Sequence, residues 1–259
     1  MFQQNAQPNA LFTRQIRQAC ENNEFEIYYQ PVFNLRTGRV EEFEALLRWN
    51  TPDGILSPGS FLRQAQENGM IDVIGEWVVK NVCRDIVKWF NCGHTVPPVS
   101  INFSEGEIKN PSFVNKLYAI VSSFGINPNM IVVEISATAL DKDYRNAVST
   151  VAKLRDCGFL VSIDNFGRDS SNIKALLDVD CLDLKIDGNL LESAKISKRG
   201  FDLVLGTVAL LRSLNINVIA ERIENEEQLD FVRQLGFNLV QGYYFSTAIR
   251  GDEARMYMV

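Results

Sequence analysis

The sequence predicts an α/β fold, a (β/α)8 barrel that is modified by an antiparallel first strand. Three observations support this prediction: eight strand-like segments follow one another, helical patterns separate most of them, and only six residues join the first two. The chain has 259 residues, of which 46% are hydrophobic, so it has enough material for one barrel of this size.

The eight predicted strands are rich in β-branched and aromatic residues and are bounded by turn residues. They cover residues 25–33, 40–49, 99–103, 130–136, 159–166, 181–187, 216–223 and 239–245. The connection N-L-R-T-G-R at 34–39 is shorter than the dozen or so residues that a crossover between parallel strands needs. The first pair is therefore predicted to be an antiparallel hairpin, and the whole a modified, TIM-like barrel.

The segments between the strands repeat apolar residues every three or four positions, as amphipathic helices do. The clearest patterns cover residues 73–90, 147–158 and 201–214. Asn225, which two glutamates follow, is predicted to cap a further helix. No repeat or low-complexity linker interrupts residues 21–250, which are predicted to form one domain between an N-terminal linker or helix start at 1–20 and a C-terminal tail at 251–259.

The composition argues against several classes of binding partner. The formal charge of −6 and the pI near 5.0 argue against binding of duplex DNA or RNA, which needs clustered basic residues. No apolar run approaches the roughly 18 residues of a membrane span, so no direct membrane insertion is expected. The five cysteines show no C-x-x-C spacing, which predicts neither a disulfide framework nor a zinc site and favours a cytoplasmic location.

Each of seven predicted strands carries a polar or charged residue among core residues. These residues are Glu44, Asn102, Glu134, Asp164, Lys185, Glu221 and Gln241. Burying such groups without partners destabilises a fold by several kcal/mol, so we expect them to converge at one end of the barrel, where barrels of this type place their active sites. Four carboxylates, an amide oxygen and a lysine suit a hard divalent cation and a phosphate.

Taken singly, these residues have plainer interpretations. Asn102 and Gln241 are compatible with hydrogen-bonded amides in the core, and Lys185 is compatible with pairing to Asp183 or Asp187. The stretch V-S-I-D-N-F-G at 161–167 is compatible with a metal site, with the remains of one, or with an ordinary turn. Only the whole set favours a functional site over these alternatives.

Several motifs at strand positions resemble one known family. E-A-L-L-R-W at 44–49, preceded by Y-Q-P at 29–31, resembles the signature of the EAL domain family. Further similar segments follow in order: S-I-N-F-S at 100–104, V-E-I-S at 133–136, I-D-N-F-G at 163–167, L-K-I-D at 184–187, A-E-R-I-E at 220–224 and Q-G-Y-Y-F-S at 241–246. The resemblance runs from about Leu11 to Ile249, and its collinear motifs make it more specific than the letters E-A-L alone.

The resemblance implies a modified barrel that binds cyclic di-GMP and, in active members, hydrolyses it to linear pGpG. It implies that one Mg2+ or Mn2+ is held by Glu44, Asn102, Glu134 and Asp164. It gives Lys185 and Glu221 catalytic roles in orienting and activating the attacking water. The nucleotide-binding positions implied by it are Gln30, Leu47, Arg48, Asp164, Glu221 and Gln241. A neighbouring signalling domain, another protein partner or a second copy of the chain is also expected.

The chain departs from the family pattern beside the metal site. The family's D-D-F-G-T-G is D-N-F-G-R-D here, so Asn165, Arg168 and Asp169 replace family residues, as do Ala137 and Arg222 elsewhere. An amide oxygen is a poorer ligand for a hard cation than a carboxylate, so a second metal is expected to bind weakly. Two main functions stay open: a cyclic di-GMP receptor whose hydrolysis is weak or lost, and an active phosphodiesterase that tolerates Asn165. A scaffold that binds no nucleotide is a third alternative, which the presence of Gln30 and Arg48 disfavours.

Overall fold

A computed structural model describes residues 9–167 and 175–259, so Arg168 and Asp169 lie outside the described residues. The strands are β1 Phe25–Asn34, β2 Val40–Thr51, β3 Gly54–Leu56, β4 Val99–Phe103, β5 Ile131–Ser136, β6 Leu160–Phe166, β7 Asp183–Ile186, β8 Asn217–Ala220, β9 Leu239–Val240 and β10 Ile249–Arg250. The α-helices are α1 Ala10–Glu21, α2 Leu62–Glu67, α3 Ile71–Asn91, α4 Glu105–Lys109, α5 Phe113–Ser123, α6 Ala137–Lys142, α7 Tyr144–Asp156, α8 Ala175–Asp178, α9 Gly188–Ile196, α10 Lys198–Ser213, α11 Glu226–Gln234 and α12 Gly251–Ala254.

Eight of these strands close into a barrel. β2 and β4 to β9 pair in parallel in chain order, and β1 lies antiparallel between β9 and β2, which closes the ring. The short strands β3 and β10 extend the sheet beside β2 and β1. The predicted fold class, an α/β barrel with an antiparallel first strand, is confirmed. All seven parallel strands point their carboxyl ends to one end of the barrel, which is where the site lies.

The β1–β2 hairpin shows why the first pair is antiparallel. The Asn34 side chain accepts hydrogen bonds from the backbone N–H groups of Arg36 and Thr37, at 2.9 and 3.2 Å, and so organises the turn. Gly38 has a φ of +69°, a conformation that suits glycine. The turn thus folds from local contacts, and the following strand places the E-A-L-L-R-W motif opposite β1.

Two of the predicted strands end earlier than expected. β8 stops at Ala220 because Arg222 adopts a φ of +58°, which no regular strand contains. β9 stops at Val240, and the chain then turns at Gly242, whose backbone packs against Ile223. A Cβ at Gly242 would lie 2.2 Å from the Ile223 carbonyl oxygen, so only glycine allows this approach. Glu221 and Gln241 therefore stand just beyond their strands rather than within them.

The three clearest helical patterns correspond to α3, α7 and α10. α3 buries Ile74, Val78 and Val82, whose spacing of four places them on one side. The predicted cap at the start of α11 is confirmed, because the Asn225 side chain accepts a hydrogen bond from the backbone N–H of Gln228. In residues 9–167 and 175–259, no helix has both the length and the apolar character of a membrane span.

Helices also occupy the N-terminal segment, predicted as a linker or helix start, and the predicted C-terminal tail. α1 buries Phe12, Ile16 and Ala19 against the rest of the fold. α12 buries Ala254, and its first carbonyl, that of Gly251, accepts a 3.0 Å hydrogen bond from the indole of Trp89. Both terminal helices thus belong to the packed structure around the barrel.

Candidate functional site

The polar strand residues meet at the carboxyl ends of the parallel strands. Register brings neighbours together: Asn102 on β4 lies beside Glu134 on β5, and Ser136 on β5 lies beside Asp164 on β6. Because alternate residues on a strand face opposite sides, these positions share the inner face of the barrel with Glu44 of β2. The sequence prediction that the seven polar residues converge therefore has a clear geometric basis.

Lys185 lies at the centre of this group and is fully buried. Its Nζ lies 2.8 Å from Glu44 Oε2, 2.8 Å from Glu134 Oε2 and 3.9 Å from Glu221 Oε1. The alternative partners are engaged elsewhere: Asp183 accepts a hydrogen bond from Ser162, and Asp187 caps α9. The lysine therefore pairs across the barrel and not with its neighbours in sequence.

Three amide side chains complete the cluster around Glu44. Gln241 Nε2 donates to Glu44 Oε2 at 2.7 Å and to Gln30 Oε1 at 3.2 Å. Asn102 Nδ2 donates to the other oxygen, Glu44 Oε1, at 2.8 Å. Among the hydrogen bonds of the described residues, none reaches Gln241 Oε1, although that oxygen is buried. With Lys185, Gln241 and Asn102 as donors, Glu44 thus accepts hydrogen bonds from three different strand ends and fixes their relative positions.

Asp164 and Asn165 lie on an irregularity of β6. The pairing register between β6 and β7 shifts between Ile163 and Phe166, and Asn165 has a φ of +57°. The Asn165 backbone N–H donates to Asp164 Oδ1 at 2.6 Å, and its side-chain amide donates to Asp164 Oδ2. Asparagine tolerates this left-handed backbone better than most residues. The pair is thus a bulge within a strand, not an ordinary turn, and both oxygens of Asp164 are bonded to Asn165.

One lysine does not neutralise this many carboxylates. Burial raises the pKa of Glu134 well above its usual range, and Glu44 and Asp164 raise it further. Burial alone would lower the pKa of Lys185, but the carboxylates of Glu134 and Glu44 outweigh burial and hold it well above its usual value. Burial likewise raises the pKa of Glu221 to about 7. Carboxyl groups therefore outnumber the buried positive charge in this cluster, an imbalance that bound protons or a bound cation would relieve.

A second polar layer lies deeper in the barrel and was not predicted. Glu42 and Asp183 are both buried, and they stand two residues before Glu44 and Lys185 on the same strand faces. Burial, with Asp183 nearby, raises the pKa of Glu42 well above its usual range. Period-two alternation would have found this layer, because Glu42 and Glu44 are alternate residues of one strand.

Arg48 lies at the rim of the site. Its guanidinium carbon is 5.6 Å from the centre of the Tyr28 ring, and Arg250 approaches the same ring at 5.9 Å. Tyr28 was not predicted as a site residue, although it stands two residues before Gln30 on the same face of β1. Arg48 Nη1 also donates to the Leu47 carbonyl oxygen at 2.9 Å. An aromatic ring thus supports the arginine that the sequence assigned to a phosphate.

Leu47 lies on the other face of β2 from Glu44. Along β2, Leu46 and Arg48 share the face of Glu44, whereas Leu47 points to the opposite face. Leu47 is buried and lines a cleft together with Leu46, Ile74 and Asn102. Leu46 therefore joins Glu44 and Arg48 on one face of β2, and a contact between Leu47 and a nucleotide stays a prediction.

The donor set fits a hard divalent cation in its chemistry. Glu44, Glu134 and Asp164 offer carboxylate oxygens and Asn102 an amide oxygen, which are ligand types that Mg2+ and Mn2+ take. Within the described residues, however, no three acidic, histidine or cysteine side chains are grouped closely enough to hold a metal ion. Glu44 and Glu134 bind Lys185 instead, so holding a cation requires them to turn away from the lysine.

Glu221 gives the metal-free protein a predicted pH dependence. The unfolded chain releases this proton near pH 4.5 and the folded protein near 7, so between these values the folded state binds more protons. The free energy of unfolding should therefore fall as pH rises from about 5 to 7, by about 2 kcal/mol. Urea unfolding across this range checks the slope, which should flatten in Glu221→Gln. The exposed Glu227→Gln is the control, and an equally flat profile there would contradict the assignment to Glu221.

Comparisons with known proteins identify the family of the chain. The profile of the EAL domain family matches residues 13–248. A curated relative described as an uncharacterized signaling protein, from Caulobacter vibrioides, is 32% identical over 231 residues. Cyclic di-GMP phosphodiesterase NbdA of Pseudomonas aeruginosa is 31% identical over 233 residues. These matches take in 89% and 90% of this chain but 28% and 30% of the relatives, so the chain spans about three-tenths of their length.

A solved structure shows the same architecture. It is described as PaMucR phosphodiesterase in complex with c-di-GMP, and it superposes with a TM-score of 0.87 at 28% sequence identity. The superposition covers 94% of this chain and 99% of that chain.

Proposed function

The chain belongs to the EAL domain family, and on that premise we propose that it is a cyclic di-GMP receptor in bacterial second-messenger signalling, with weak or lost hydrolysis. In this proposal the nucleotide lies across the strand ends, over Gln30, Arg48, Asp164, Glu221 and Gln241. Leu47 is the proposed apolar contact from this motif, and Leu46, which shares the face of Arg48, is a further candidate.

The state of Asp164 is the observation that supports a receptor over an enzyme. Both of its carboxylate oxygens accept hydrogen bonds from Asn165, a neutral residue at the position where a second carboxylate would help to hold a second cation. Hydrolysis of a phosphodiester by two cations stabilises the attacking and leaving oxygens together, so a missing ligand removes several kcal/mol of transition-state stabilisation. The remaining polar cluster is compatible with binding in the absence of efficient chemistry.

A Mg2+ or Mn2+ ion would be held by Glu44, Asn102, Glu134 and Asp164, and it would supply charge stabilisation at the phosphate and a more acidic water. The chain's own contribution is proton handling and orientation. Glu221, with its pKa raised by burial to about 7, is suited to accept a proton from the attacking water near neutral pH. Lys185, which Glu44 and Glu134 would release when they hold the cation, would then orient that water.

An active phosphodiesterase is the second candidate function. It is favoured by the presence of both proposed catalytic residues, Lys185 and Glu221, within 3.9 Å of each other at the strand ends. A receptor has no need of a general base with a pKa near neutrality, so this pairing keeps the enzyme alternative open.

We also propose a cytoplasmic location and a neighbouring signalling domain or protein partner. All five thiols are free, which suits a reducing compartment. The chain covers about three-tenths of its curated relatives, which leaves room in such proteins for further domains.

Calorimetric titration with cyclic di-GMP, with and without Mg2+, tests the receptor proposal directly. Arg48→Ala should weaken binding by about 1.5–3 kcal/mol, because a charge-assisted bond from the guanidinium to a phosphate is lost. Chromatography of the same samples for linear product then measures turnover.

The matched control is Arg36→Ala, an exposed arginine in the hairpin turn at the opposite end of β2. It should leave the dissociation constant unchanged. Equal affinities of the unmodified protein and Arg48→Ala would contradict the phosphate assignment, and no binding by the unmodified protein would contradict the receptor proposal as a whole.

A further inference from the structure

Arg222 adopts a backbone conformation that long side chains rarely take. It follows Glu221 in the connection between β8 and α11 and has a φ of +58°. Backbone hydrogen bonds hold this turn on both sides: Gln241 N donates to Ala220 O at 2.9 Å, and Ile223 N donates to Gln241 O at 3.1 Å. The end of β9 therefore fixes Arg222 in a conformation that is unfavourable in isolation.

The Arg222 side chain runs toward the strand that bears Lys185. A Cβ built on Gly188 would lie 4.0 Å from Arg222 Cδ, so the aliphatic stem passes beside the start of α9. Gly188 follows Asp187, directly after the end of β7. The exposed guanidinium group thus stands at the rim of the site, at the adjacent ends of β7 and β8.

The electrostatic surroundings of Arg222 are acidic. Burial raises the pKa of both Asp164 and Glu221, and Arg222 is among the groups that oppose this rise. Within residues 9–167 and 175–259, however, Arg222 forms no ion pair at 4.0 Å or less. Its forked donors are therefore available to an anion that lies over these two carboxylates.

We propose that Arg222 binds the phosphate of the nucleotide that lies nearest Asp164 and Glu221, and that it gives binding a component that needs no divalent cation. This inference rests on the proposed function, in which cyclic di-GMP occupies the strand ends. A cyclic dinucleotide carries two phosphodiester charges, and the two rim arginines reach the site from different strand ends. Arg48 stands on β2 and Arg222 after β8, and β1 and β9 lie between these strands in the barrel.

Titration with cyclic di-GMP in EDTA and in saturating Mg2+ separates the contribution of the arginine to binding from that of the cation. Arg222→Asn is the informative variant, because asparagine tolerates a positive φ and removes the charge, the fork and the stem that carries them. It should weaken binding in EDTA at least tenfold and weaken it less in Mg2+, where the cation compensates the phosphate. Arg222→Lys, which keeps the charge without the fork, should fall between the unmodified protein and Arg222→Asn.

The control variant is Arg233→Asn, an exposed arginine in the last turn of α11, which should bind as the unmodified protein does in both buffers. The urea midpoint of Arg222→Asn should equal or exceed that of the unmodified protein, which excludes unfolding as the cause of weaker binding. Unchanged affinity of Arg222→Asn in EDTA, or binding of the unmodified protein only in Mg2+, would overturn the inference and leave the receptor proposal intact. Absence of binding in both buffers would instead remove the receptor proposal.

Discussion

Replacing Lys185 by methionine is expected to lower the free energy of unfolding by about 3–5 kcal/mol. The lysine is fully buried, and its ammonium group contacts Glu44 and Glu134, each at 2.8 Å. Removing it leaves two buried carboxylates without their counter-charge, and methionine fills the volume without replacing a single hydrogen bond. Equilibrium unfolding in urea at about pH 7.5 measures this loss in the free energy of unfolding.

A matched surface pair provides the control. Lys88 Nζ lies 2.8 Å from Asp252, the same distance as in the buried pair, but the two side chains are 55% and 66% exposed. Lys88→Met should therefore change the free energy of unfolding by less than about 1 kcal/mol. Similar losses in the two variants would mean that Lys185 does not neutralise the cluster in the folded protein.

The loss of stability in Lys185→Met should also depend on divalent cations and on pH. Added Mg2+ should stabilise this variant more than the unmodified protein, because Glu44 and Glu134 no longer bind the lysine and become free to take a cation. The loss should shrink toward pH 5, where protonation of the buried carboxylates removes the uncompensated charge. A loss that depends on neither condition would indicate lost packing alone.

Introducing a carboxylate at position 165 is expected to raise the turnover of cyclic di-GMP by roughly tenfold to a thousandfold, about 1.4–4 kcal/mol of transition-state stabilisation. Asn165→Asp is nearly isosteric, and aspartate, like asparagine, tolerates the φ of +57° at this bulge. The change replaces the amide that donates to Asp164 with a second negative charge, so the pair gains affinity for a cation.

Two measurements check this prediction. Calorimetric titration with Mg2+ should show tighter binding in Asn165→Asp, and chromatography should show faster formation of linear product. Asn215→Asp is the control, because Asn215 has a similar φ of +60° but lies in an exposed loop before β8. It should change neither quantity.

The outcome also decides between the two candidate functions. Tighter Mg2+ binding without faster turnover would place the defect in other departures from the family pattern, namely Ala137, Arg168 and Asp169. A turnover of about 10 per second by the unmodified protein, typical of enzymes, would mean that the receptor proposal is wrong and that Asn165 is tolerated at a working site.

Local sequence signals were sufficient for most of the architecture. Apolar runs bounded by turn residues located the strands, and the short connection at 34–39 was enough to predict the antiparallel hairpin, because a parallel crossover does not fit in six residues. Polar residues inside apolar strands indicated a site at the strand ends, since buried charges need partners. Strand alternation, which the sequence also contains, adds Leu46 to the residues that share the face of Glu44.

Tertiary structure alone decided which of these groups are partners. Lys185 bonds to Glu44 and Glu134, which are 141 and 51 residues away in the chain, and not to the nearby Asp183 or Asp187. Tertiary structure also set the positive φ angles of Asn165 and Arg222, because strand pairing on either side imposes these angles. For Arg222 the imposed angle opposes the local preference of the residue. Sequence patterns report which residues are buried, because burial follows local periodicity. Pairing energies depend on distances between strands, and only the closed barrel fixes those distances.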